Sequence, residues 1–162
     1  MVGPAATAES GGDAARARWL GLLARANPPA LAERMVDAEA TMAPLPDRRW
    51  LRPPEIGSVM LRGRTAGTGA PFNLGEMTVT RCTLAFPDGT VGHAMVPGRD
   101  KAHAERVALA DALLQRVETR AAVEKRVLEP LATVEEAAAR ETAAKAAATK
   151  VEFFTMVRGE DQ

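Results

Sequence analysis

Cysteine is almost missing from this chain. Cys82 is the single thiol among 162 residues, which excludes a disulfide framework and a paired-cysteine metal or redox site. Tyrosine is absent. The aromatic residues are Trp19, Trp50, Phe72, Phe86, Phe153 and Phe154, too few for a base-stacking platform. Net charge is missing too: 21 Lys+Arg offset 21 Asp+Glu, so no overall field draws the chain to nucleic acid or to an anionic membrane. No apolar run approaches the roughly 18 residues of a membrane span. No basic start followed by an apolar stretch reads as a signal peptide. His93 and His103 are the only histidines, on different elements and without HExxH spacing, so no metal site is expected. There is no GxSxG for a serine nucleophile either. The expectation is a cytoplasmic protein without nucleic-acid or membrane partners.

What is present fits one domain, long enough to bury roughly 70% of its unfolded surface. Residues 1–12 are small and polar and are expected to be disordered, leaving 13–162 as a single domain. The neutral total hides a basic middle: residues 48–106 carry 9 basic and 5 acidic groups, while both flanks are slightly acidic. Ser10 or Asp13 is expected to cap a first helix, along which Trp19, Leu22, Leu23 and Ala26 share one face. Pro28-Pro29 ends it and starts a second, marked by Leu31, Met35, Ala38 and Met42. The middle reads as sheet. Trp50-Leu51 begins a short strand before Pro53-Pro54, Ile56–Arg64 forms another, and 66–76 is a Gly/Pro-rich loop. Residues 77–86 are a β-branched strand, Pro87-Asp88-Gly89-Thr90 is a hairpin turn, and Val91–Val96 returns. Asp100 caps a long helix over 101–118. A break at Leu128, Pro130 and Leu131 precedes a capping box, Thr133 with Glu136, and an alanine-rich helix. The fold class is therefore α+β: two N-terminal helices, an antiparallel sheet of about four strands, a long helix, and a helical arm with an apolar tail over 133–159.

Three segments carry candidate chemistry. Arg62 and Arg64 alternate onto one strand face beside Gly67-Thr68-Gly69, whose backbone amides suit an anion nest. The spacing matches neither GxxxxGK[ST] nor GxGxxG, and from spacing alone a long hairpin loop with solvated arginines is the better reading. Arg99, Lys101 and His103 gather at the start of the long helix, where exposed amides and the helix dipole favour anions. His103 is a candidate general acid or base there; ordinary capping with solvated charges is the alternative. The tail holds Phe153, Phe154 and Met156, read as an edge strand of this sheet or as an anchor on a partner.

The runs RGRTAGTGAPFNLGEMTVTRC (62–82), DGTVGHAMVPGRDKAHAE (88–105) and VEFFTMVRG (151–159) together resemble the PhnG family, subunits of the bacterial carbon–phosphorus lyase core complex. RARWLGLLARANPPAL (16–31) is similar to that family's opening helix. The resemblance implies phosphonate catabolism under phosphate starvation. It implies partners PhnI, PhnH and PhnJ in paired copies with a second PhnG, and association with PhnK and PhnL. It implies a role in displacing adenine from ATP by a phosphonate to give ribose 1-methylphosphonate 5-triphosphate, or in assembly alone. ATP and the phosphonate are then substrates of the complex, and this chain binds no cofactor by itself. Carbon–phosphorus bond cleavage belongs to the iron–sulfur subunit PhnJ. The resemblance assigns no catalytic residue. If the chain meets the anionic reactants, Arg62, Arg64, Thr68, Arg99, Lys101 and His103 are chemically able to do so.

Overall fold

The computed structural model describes residues 9–42 and 44–149. Helix α1 (Glu9–Arg25) begins before either expected cap. Helix α2 (Pro28–Glu39) starts where the prolines place it, with Asn27 as N-cap accepting from the Ala30 amide. Three antiparallel strands follow in the order β1 (Arg49–Arg64), β2 (Pro71–Ala85), β3 (Val91–Pro97). Helix α3 (Lys101–Leu114), helix α4 (Val117–Val123), a π-helical turn over Glu124–Leu128 and helix α5 (Glu129–Ala148) complete the elements of the described residues.

The class is α+β as expected, but three strands replace four. Trp50-Leu51 and Ile56–Arg64 are one strand that runs through Pro53-Pro54. Prolines are tolerated there because β1 is an edge, and the ladder is irregular between Trp50 and Glu55. The 66–76 loop is also shorter than expected: Pro71–Glu76 already pair with β1. The 87–90 turn forms as read. Asp88 Oδ1 accepts from the Thr90 amide at 2.9 Å, and Gly89 takes φ 88°, a conformation glycine adopts without strain.

The core sits between one face of β2–β3 and α3, which presents Ala104, Ala108 and Ala112, all 0% exposed. This alanine row lets the helix lie almost on the sheet. A Cβ at Gly92 would press on the Ala108 carbonyl oxygen and come within 2.8 Å of the Ala112 methyl. Leu23, Leu31, Met35, Leu84, Leu113 and Val127 close the core from α1, α2, β2, α3 and the π turn. Helix α3 stops at Leu114, short of the expected 118, without glycine or proline. Side chains take over its last carbonyls instead: Thr119 Oγ1 donates to Leu113 O at 2.6 Å and Arg120 Nε to Leu114 O at 2.7 Å. The expected capping box is likewise absent. Pro130 lies in the first turn of α5, and Thr133, one turn in, donates back to Glu129 O.

β1 and β2 outrun β3. Pairing of β3 ends at Val79↔Pro97, whereas β1 and β2 stay paired to Arg64↔Pro71. The pair therefore projects as a two-stranded ribbon of seven or eight residues, roughly 25 Å at about 3.3 Å per residue.

Candidate functional site

The structure separates the two basic clusters. Arg62 and Arg64 stand exposed at the ribbon tip, opposite Asn73 and Pro71, while Gly98 bonds to Thr78 at its base. Five to seven residues of β2 lie between these points, roughly 20 Å at about 3.3 Å per residue. At the tip, the Thr68 and Gly69 amides both donate to the Thr65 carbonyl, and Arg64 Nη1 donates to Gly69 O at 3.0 Å. Those two amides serve the turn rather than an open nest.

At the base, Asp100 caps α3 as read, accepting from the His103 amide at 2.8 Å. Arg99 and Lys101 are exposed. His103 turns inward and is 3% exposed. Its Nε2 lies 3.4 Å from the Ala24 carbonyl oxygen at the end of α1, and its Nδ1 is buried without a partner among the described residues. The imidazole thus faces the α1–α3 interface, away from Arg99 and Lys101. Phe153, Phe154 and Met156 lie outside the described residues.

A different group of side chains converges on the sheet. A cavity of about 420 Å³ is bounded by α1, α3 and all three strands, and Arg52, Arg81, Thr83 and His93 share its lining with Leu20 and Val107. Arg81 Nε donates to Glu55 Oε1 at 2.7 Å, and Arg52 Nη1 lies 3.6 Å from the same oxygen. Thr83 Oγ1 and His93 Nδ1 are 3.1 Å apart. The Pro87–Thr90 turn carried the signal for this group. A hairpin closed between Phe86 and Thr90 sets Thr83 against His93 and Arg81 against Met95, the observed register.

One carboxylate of α3 is a hub. Asp111 is 0% exposed and accepts from Arg16 Nε at 3.1 Å, Arg16 Nη2 at 2.6 Å, Trp19 Nε1 at 2.9 Å and the His93 amide at 2.9 Å. Arg16 Nη2 and Gln115 Nε2 also donate to the Val91 carbonyl. α1, α3 and β3 are locked together, and two outward backbone groups of β3, the Val91 carbonyl and the His93 amide, are occupied by side chains. Cys82 is buried in the core, which pushes its thiol up to about 11, with the Glu105 charge adding to the effect; it is no nucleophile. Among the described residues no group of three or more His, Cys, Asp or Glu could hold a metal ion, and no helix is long and apolar enough to cross a membrane.

These features define a class first: a small α+β protein with an anion-compatible cavity, a projecting ribbon and no assembled catalytic constellation among its described residues. The family described as phosphonate metabolism protein PhnG matches residues 14–159, and the chain belongs to that family. It is also 44% identical over 163 aligned positions to a protein of Rhizobium meliloti (strain 1021) named alpha-D-ribose 1-methylphosphonate 5-triphosphate synthase subunit PhnG, covering 99% of this chain and 100% of that protein.

Proposed function

We propose that this chain is a non-autonomous subunit of a ribose 1-methylphosphonate 5-triphosphate synthase in phosphonate catabolism. The observation that carries the reading is the end-to-end similarity to a protein bearing that name. The shape of the chain agrees with a life inside an assembly. The ribbon leaves Met60 about half exposed, with Phe72 and Leu74 also open, and an isolated hairpin is marginal in water. Helix α5 runs beside α1, where Glu135 meets Arg25 at 2.8 Å. Beyond Ala138 it continues ten exposed residues, about 15 Å at 1.5 Å each. Ribbon and arm leave the body at the same end, where α1 finishes and α3 begins.

In the reaction we assign to that synthase, a phosphonate oxygen bonds to the ribose C1′ of ATP as the bond to adenine breaks. The three phosphates of ATP and the phosphonate make four anionic groups in one site, and cations from a neighbouring subunit would lower their repulsion. Arg62, Arg64, Thr68, Arg99 and Lys101 are the residues assigned to that contact. PhnI, PhnH and PhnJ, a second PhnG, and the PhnK and PhnL pair are the expected partners, in the cytoplasm. ATP and the phosphonate are substrates of the assembly, with no cofactor held by this chain alone. The second reading is an assembly subunit without substrate contact, favoured by the roughly 20 Å between the two clusters. Arg64→Ala with Lys101→Ala in the reconstituted complex decides. Adenine release is expected to fall at least tenfold with all subunits still co-eluting. Unchanged release leaves only the assembly role, and failure of the wild-type chain to co-elute with any other subunit overturns both.

A further inference from the structure

The cavity beside α1 is the place in this chain best built to take a small anion. Arg81 is held by its Nε on Glu55, so its planar fork is oriented while both Nη groups lack partners among the described residues. That is the half of a guanidinium that grips a tetrahedral oxyanion with two parallel bonds. Arg52 Nη1 lies 3.6 Å from the same Glu55 oxygen. Two guanidiniums against one carboxylate leave the lining net positive. The Thr83 hydroxyl and His93 Nδ1 occupy each other, which leaves the His93 Nε2 as a further donor or acceptor without a partner among the described residues. Leu20 and Val107 supply an apolar wall, which strengthens charge interactions nearby and suits a short alkyl group. The volume, about 420 Å³, lies within the range of small-molecule sites, about 300–1,000 Å³.

We propose that this cavity binds a tetrahedral phosphorus oxyanion, phosphonate or phosphate, through Arg81, Arg52 and His93, with Glu55 as the residue that positions Arg81. The choice of phosphorus chemistry rests on the proposed function; the anion preference rests on the lining alone.

The chain has only two histidines, so the ring-nitrogen NMR signals of His93 and the interior His103 give a local readout. The full chain, alone and co-purified with its partner subunits, is titrated with methylphosphonate, with ATP and with inorganic phosphate. Sodium chloride at matched ionic strength serves as control. The His93 signal is expected to shift saturably with at least one phosphorus ligand, not with chloride, while His103 stays in place. The arm that binds most tightly names the source of the oxyanion. Arg81→Gln is expected to weaken that binding roughly tenfold or more, the loss of a charge-assisted pair. Arg52→Gln, farther from Glu55, serves as the second variant should the first fail to fold. Absence of a saturable His93 shift in both preparations overturns the proposal, as does undiminished binding in the folded variants. Such a failure with the subunits still co-eluting leaves the proposed function standing. A binding cavity in a chain that joins no complex has the opposite meaning.

Discussion

At the scale of single residues, the hub at Asp111 decides more than any exposed ion pair. Arg25–Glu135 and Arg126–Asp37 are solvent-screened and contribute little. Asp111 is fully buried and meets four donor atoms, so its removal strands the Arg16 guanidinium and the Trp19 and His93 N–H groups together. Asp111→Ala is expected to cost roughly 3–5 kcal/mol, read as a shift of the urea midpoint with an unchanged slope. Cys82 gives a prediction in pH. Burial raises its pKa to about 11, so the folded state favours the neutral thiol. The stability that follows is complete below the unfolded thiol value, about 8.5, and is lost as pH rises through about 11. The native chain should resist a thiol reagent at about pH 8 and react at once in urea. A urea midpoint that stays level up to about pH 11 would contradict the burial argument. Asp88 runs the other way: the Thr90 amide and hydroxyl hold its carboxyl below the usual range, which favours the turn once the carboxylate is ionised.

At the scale of elements, the ribbon is the piece least needed for folding. No core residue falls between Val59 and Met77. Joining Val59 to Met77, which face each other in the ladder, through Asn-Gly would give a two-residue hairpin turn of the favoured kind. Excision of 60–76 in this way is expected to move the thermal midpoint by less than about 4 °C while abolishing co-elution with other subunits. A large drop in the midpoint would show the ribbon to be part of the fold. Legibility also varied by element. β2, β3 and the turn between them were readable because β-branched residues, alternation and Asp-Gly agree. β1 was split because proline in a strand normally argues against one, and only its edge position excuses Pro53-Pro54. The end of α3 had no punctuation to read: its stop is made by the hydroxyl of Thr119 and the guanidinium of Arg120, six residues beyond the carbonyls they satisfy.

At the scale of the whole molecule, sequence reasoning recovered the class and the family, and its site residues stand apart in space. Arg62 and Arg64 were found by their alternation beside Gly67-Thr68-Gly69, and that spacing says nothing of the ribbon that carries them away from Lys101. His103 looked available because it follows a helix cap, yet its place on α3 turns it toward Ala24. Arg81, Thr83 and His93 were passed over because each is unremarked in its own segment, and only the hairpin register makes them neighbours. The two margins of the sheet differ as well. Along β3, Asp111, Arg16 and Gln115 occupy the outward amide of His93 and carbonyl of Val91. Among the described residues no strand pairs with the outer margin of β1. A strand arriving at β3 would meet side chains already seated on Val91 and His93, whereas one arriving at β1 would displace none among the described residues. β1 is therefore the side on which a foreign strand or a second copy is expected to add, and the carboxylate that holds the helices in place also biases the sheet toward that one direction.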